Sequence, residues 1–190
     1  MISVKVAGIE RLKASLGDKA KKLPQEVAIA VNATAKFVNK QMAKDIQQEL
    51  ATSQKVIGKT IRQTRRATKA ELKAMVRLEK TTRIPLKDFG ARQTKKGVSY
   101  KVSKTKGRGF VPGGFQGPKP GAMKASWRGN AFKRVGKARL PIVKLKGPSP
   151  WGVFVKRGMT ADILKRADAE LEKQVERRVR YNVLKSQGVI

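Results

Sequence analysis

Thirty-two units of uncompensated positive charge constrain this chain more than any pattern of apolar residues does. Lys and Arg number 45 against 13 Asp and Glu, with no histidine in 190 residues. Mutual repulsion at that charge opposes compaction, so a fold that carries it calls for a polyanionic partner or a neutralising assembly. Nucleic acid is the expected polyanion, because neutralising phosphates releases condensed counterions. A surface that only had to be soluble would gain little from so strong a field of one sign. The excess is also uneven. Residues 55–146 hold 27 Lys and Arg against Glu71, Glu79 and Asp88, which is +24 of the +32.

The same composition closes most routes to catalysis. Without cysteine or histidine there can be no disulfide, no zinc ribbon and no Ser-His or Cys-His nucleophile. The glycines of Gly107-Arg108-Gly109 and Pro112-Gly113-Gly114 lack the Gly-Lys-Ser/Thr context of a phosphate loop. Glu71 and Glu79 lie eight residues apart on one expected strand, too far to share a divalent ion, and read instead as local counterions. We therefore expect no enzyme: no catalytic residue, no cofactor and no metal. The start of the chain lacks an apolar run of signal-peptide length, and no stretch approaches the ~20 apolar residues that span a bilayer. A soluble protein made in a reducing cytoplasm, with no membrane partner, is the expectation.

With 39% hydrophobic and 5% aromatic residues, the core must rest on Val, Ile, Leu and Ala. One domain over residues 1–190 is expected, in three compositional zones. The first, 1–52, reads as a short strand at 2–6, a short helix near 9–16, and a long helix opened by Pro24 in its first turn. Val27, Val31, Thr34, Val38, Met42, Ile46 and Leu50 fall on one face of that helix, as a core stripe does. The second zone, 53–146, is basic and β-rich. Alternation from Thr68 to Glu79 predicts a half-buried strand. Residues 89–93 and 98–102 predict a hairpin turning at Lys95-Lys96-Gly97. Residues 131–135 and 140–145 give two more strands around Gly136. The Gly- and Pro-rich stretch 104–128 reads as an extended basic arm. The third zone, 147–190, is a C-terminal helix over about 160–184, capped by Thr160 or Asp162 and striped by Leu164, Ala167, Leu171, Val175 and Val179. Trp151 and Phe154 before it read as a packing anchor or a subunit interface. The predicted fold class is α+β: a small antiparallel β-sheet packed against long N-terminal and C-terminal helices, with the basic arm projecting.

No helix-turn-helix, zinc module, basic zipper or aromatic RNA-binding motif is visible. Cations dispersed over strands and an arm suit contact with phosphate backbones without base readout. The residues picked out for polyanion contact are Arg65, Arg66, Lys95, Lys96, Lys104, Lys106, Arg108, Lys119, Lys124 and Arg128. A DNA channel lining and a ribosomal or nucleoid-type protein both fit this description.

Three ordered blocks carry a resemblance. Ile84-Pro85-Leu86-Lys87-Asp88-Phe89-Gly90-Ala91-Arg92-Gln93-Thr94-Lys95-Lys96-Gly97-Val98 resembles the central signature of the prophage minor tail protein Z family. So do Asn130-Ala131-Phe132-Lys133-Arg134-Val135 and Arg139-Leu140-Pro141-Ile142-Val143-Lys144-Leu145, the latter followed by Gly147-Pro148-Ser149. The resemblance implies a tail completion protein of lambda-like siphophages, acting at the head-proximal end of the tail, the neck, in head–tail joining and passage of the DNA end. It further implies a homo-oligomeric ring, a hexamer to match the tail, with the tail terminator, the head–tail connector and phage DNA as partners. The location implied is the virion, after assembly in the host cytoplasm. The dense central Arg/Lys run of the lambda member of that family is replaced here by dispersed charge and the Gly/Pro-rich stretch, so no residue-level DNA contact is carried over.

Overall fold

The computed structural model of the chain describes residue 14, residues 21–117 and residues 129–189. The strand expected at 2–6, the helix expected at 9–16 apart from residue 14, and Trp127 lie outside them. The fold is α+β, with helices in the N- and C-terminal regions and small antiparallel sheets. The described strands form not one sheet but three, of two, three and three strands. They divide between two compact units that cut across the compositional zones. The first comprises Met1–Met42, Ile61–Leu78 and Gly158–Ile190, and the second Ala43–Thr60 and Glu79–Arg157.

The long helix α1, Leu23–Glu49, follows the predicted stripe. Val27, Thr34, Val38, Met42, Ile46 and Leu50 are buried, with Ala28, Ala30, Ala35 and Ala43 widening the face. Thr34 tolerates burial because its hydroxyl donates to the Ala30 carbonyl one turn back, at 3.0 Å. The unit boundary falls inside α1, after Met42.

In the first unit, Val27 and Ala30 of α1 pack against Leu171 and Val175 of the last helix, with Leu23, Val31 and Val179 around them. That helix, α4, runs Thr160–Ser186. Its buried stripe starts at Ile163 rather than Leu164, and continues through Ala167, Leu171 and Val175. Neither predicted cap operates. Met159 stands at the N-cap without a side-chain bond, while Asp162 lies in the first turn, where its charge suits the positive end of the helix dipole. Glu26 and Arg178 form an ion pair at 3.5 Å.

The strands β1 (Ile61–Arg65) and β2 (Met75–Leu78) form an antiparallel pair with a bulge between Gln63 and Arg65. Most of the predicted strand 68–79 is therefore not a strand. The Thr68 amide bonds the Glu71 carbonyl to close a turn, and Leu72 is exposed. Asn32 of α1 ties this turn down. Its amide donates to the Ala67 carbonyl at 2.9 Å, and its Oδ1 accepts from the Ala67 N–H at 3.0 Å and from Gln63 Nε2 at 3.3 Å. Ala67 is buried, so Asn32→Ala would strand both of its backbone groups. We expect a loss of about 2–3 kcal/mol in urea denaturation, with the Ala67 amide becoming fast to exchange.

The second unit holds the short helix α2 (Gln54–Gly58), capped by Ser53, whose hydroxyl accepts from the Val56 N–H. It also holds a 3-10 turn at Leu86–Phe89 and the strands β3 (Arg92–Thr94), β4 (Gly97–Tyr100) and β5 (Gly109–Pro112), paired in that order. Strands β6 (Gly114–Gln116), β7 (Ala131–Arg134) and β8 (Ile142–Lys144) form the other sheet, and the helix α3 (Pro150–Lys156) follows. A hairpin turns at Lys95-Lys96 where one was predicted, but its strands are shorter, Gly97 opens β4 instead of lying in the turn, and Phe89 belongs to the 3-10 turn and is core, with Ile57, Ile84, Val98 and Ala131. The arm expected over 104–128 is corrected in part. Residues 109–112 and 114–116 are strands, the first paired with β4 and the second with β7, and Gly109 lets the Tyr100 ring lie close over the backbone, where a Cβ would stand 2.7 Å from it.

Candidate nucleic-acid interface

The sequence assigns 24 Lys and Arg but only four Asp and Glu to the second unit, and 21 against nine to the first. Most cations of the second unit therefore cannot have a carboxylate of their own. Its ion pair between Arg157 and Glu49, at 2.7 Å, engages one of those four acids. Among the described residues no group of three or more Asp and Glu could hold a metal ion. Glu71 and Glu79 do not share a strand. Glu71 sits in the turn before β2 and pairs with Arg65 at 2.6 Å, and Glu79 follows β2.

The predicted contact residues separate into distinct environments. Arg65 and Arg66 belong to the first unit, both exposed, with Arg65 held by Glu71. Lys95 and Lys96 form the tip of the β3–β4 hairpin in the second unit. Their backbone is held firmly. Thr94 Oγ1 donates to the Gly97 carbonyl at 2.8 Å, and the Gly113 amide donates to the Lys96 carbonyl at 3.1 Å. The two ammonium groups are thus presented to solvent from a fixed turn. Lys104 and Lys106 are exposed in the loop between β4 and β5.

Arg108 is different. Its Nη2 donates to the Gly90 carbonyl at 2.7 Å and to the Ser99 carbonyl at 3.2 Å, and its Nε to Ser99 Oγ at 3.3 Å. The guanidinium staples the loop after the 3-10 turn to β4, which leaves it few donors for phosphate. Lys119, Lys124 and Arg128 lie outside the described residues. Of the two aromatic residues singled out, Phe154 is buried on α3, while Trp151 is half-buried with the Lys80 ammonium 5.1 Å from its ring centre.

Two features escaped the sequence. Lys144 of β8 has its pKa lowered, first by burial and then by the like charges of Lys87 and Lys146, which Asp88 only partly offsets. Three cations, Lys144 and Lys146 at and just beyond the end of β8 and Lys87 of the 3-10 turn, thus crowd one place, which an anion would relieve. Beside it lies an open groove of about 910 Å³. Lys80, Arg83, Lys146, Tyr100 and Trp151 line it, with Leu86 among its apolar residues. Ser149 Oγ donates to the Lys80 carbonyl at 3.1 Å and joins two sides of the groove.

No protein-family model matches the chain, and no curated protein or solved structure matches it either.

Proposed function

We propose that this protein is a structural component of a tailed-phage virion. It is a tail completion or minor tail protein at the head-proximal tail end, supporting head–tail joining and contacting the DNA backbone without reading sequence. The observation that carries the polyanion part is the exposed, unmatched cation set of the second unit, including the fixed Lys95-Lys96 tip.

The tail assignment rests on the resemblance of the ordered signature blocks, parts of which meet in the fold. The Gly147 amide donates to the Ile84 carbonyl at 2.7 Å, the Leu86 amide to the Leu145 carbonyl at 3.2 Å, and the Leu145 amide to the Ala131 carbonyl at 2.8 Å. Residues 84–86 and 145–147, some 60 residues apart in sequence, thus satisfy each other's backbone groups, with Ala131 joined through Leu145. Gly147 is required there, since a Cβ would come within 2.4 Å of the Phe89 ring.

Assembly into a homo-oligomeric ring is supported by the β7–β8 hairpin. Val135 (67% exposed), Leu140 (67%) and Val143 (52%) face solvent among basic neighbours, which suits covering by a neighbouring subunit or by the tail terminator or connector.

Quantitative mass spectrometry of purified particles tests this. The chain should be present at the low, symmetric copy number of a neck ring, and cells lacking it should accumulate unjoined heads and tails. Absence from particles together with co-sedimentation with ribosomes would overturn the proposal in favour of a ribosomal or nucleoid role.

A further inference from the structure

The groove of the second unit has a composition that plain attraction to phosphates does not require. Its lining includes Lys80, Arg83 and Lys146, all exposed, and neither an aspartate nor a glutamate. Two half-buried aromatic rings, Tyr100 and Trp151, lie among these cations, with aliphatic side chains between them. Its volume of about 910 Å³ falls within the range of clefts that hold organic ligands.

We propose that this groove holds a short single-stranded stretch of nucleic acid, its phosphates on Lys80, Arg83 and Lys146 and a base against Trp151. The inference rests on the polyanion reading above and adds a strand preference to it.

Cations alone would take duplex and single strand alike, because both present phosphates. An aromatic and aliphatic lining discriminates between them. A duplex keeps its base faces stacked inside the helix, whereas an unpaired base can lay its π-face on an aromatic ring, and every base has such a face. Lys80 places its ammonium 5.1 Å from the centre of the Trp151 ring. A base can stack on that face only by displacing the ammonium, which then turns to the phosphate of the incoming strand, so stacking and charge neutralisation would occur at one place. The Ser149–Lys80 hydrogen bond fixes the relation between the segment carrying Lys80 and the start of α3, which carries Trp151.

The chain contains two tryptophans, so Trp127→Phe in the full-length protein leaves Trp151 as the sole indole reporter. That protein is titrated at low salt with an oligo-dT of about eight nucleotides, within the span of single-strand sites, with a GC-rich hairpin whose stem is a stable duplex, and with heparin. The expected result is quenching of Trp151 by oligo-dT alone, with at least tenfold tighter binding of oligo-dT than of duplex. Trp151→Leu should reduce that preference to parity and Trp151→Phe should retain it. Lys80→Ala and Lys146→Ala should each weaken oligo-dT binding.

Equal quenching by duplex or heparin, or a strand preference that survives in a folded Trp151→Leu protein, overturns the proposal. If Trp151→Leu fails to fold, quenching of the unaltered Trp151 decides. Tight, salt-sensitive duplex binding without strand preference removes the groove but leaves the polyanion reading standing. Weak, salt-independent binding of all three ligands removes both.

Discussion

Gly97→Ala is expected to cost the second unit about 3 kcal/mol or more, a large share of the roughly 5–15 kcal/mol that a folded domain commands. Gly97 is buried at the start of β4, the middle strand of its sheet, facing Thr94 on β3 and Pro112 on β5. A Cβ there would stand 2.1 Å from the Val111 carbonyl oxygen and 3.1 Å from the Pro112 Cα. Both are backbone atoms of β5, so relief requires moving a whole strand and breaking its ladder with β4. Gly113 is the control. It also has a positive φ, of 68°, but a Cβ would meet nothing within 4 Å. Gly113→Ala should therefore cost only about 1–2 kcal/mol, the conformational penalty alone. Urea denaturation of the pair, with the Val98 amide followed by hydrogen exchange, separates the two. Similar losses at both positions would mean that β5 can move aside.

That contrast also marks where the sequence could be read and where it could not. The stripe on α1 was legible because a 3.6-residue period over 27 residues is hard to produce by chance, and the buried residues follow it. The alternation from Thr68 to Glu79 misled because alanine and threonine count as the inner face of a strand while burying little. What decides that segment is a contact from far away, Asn32 holding Ala67. Glycine was read as loop over 104–128, yet Gly109 and Gly114 sit in strands. The same residue type marks a turn in one setting and a close approach in another, and only tertiary neighbours, the Tyr100 ring at Gly109 and Val111 at Gly114, distinguish them.

The candidate site was legible as charge but not as an arrangement. Arg108 looked like its neighbours, and nothing local betrays that its guanidinium is committed to Gly90 and Ser99. The groove unites Lys80 and Arg83 with Lys146 and Trp151, on segments more than 60 residues apart, so no window along the sequence could have assembled it.

Raising salt from about 50 to 200 mM should weaken binding of this protein to random duplex DNA by roughly 10³–10⁵-fold, if six to ten phosphates are contacted. The placement of individual cations turns that bulk effect into a residue-level one. Lys95 and Lys96 stand exposed on a turn whose hydrogen bonds run through backbone, Thr94 and Gly113. Replacing both with alanine should lower the slope of log affinity against log salt by about two and leave the melting temperature unchanged. Arg108→Ala should do the reverse: its donors hold Gly90 and Ser99, so the melting temperature should fall with little change in slope. Arg65, in the first unit, is a third case, because its removal also frees Glu71, an acid that repels any phosphate near it. Affinity measured by fluorescence anisotropy across the salt series, beside thermal melts, resolves the three behaviours. A slope that Lys95 and Lys96 do not affect would move the DNA contact off the hairpin tip. A slope near zero would mean that the charge of this chain faces acidic protein rather than phosphate.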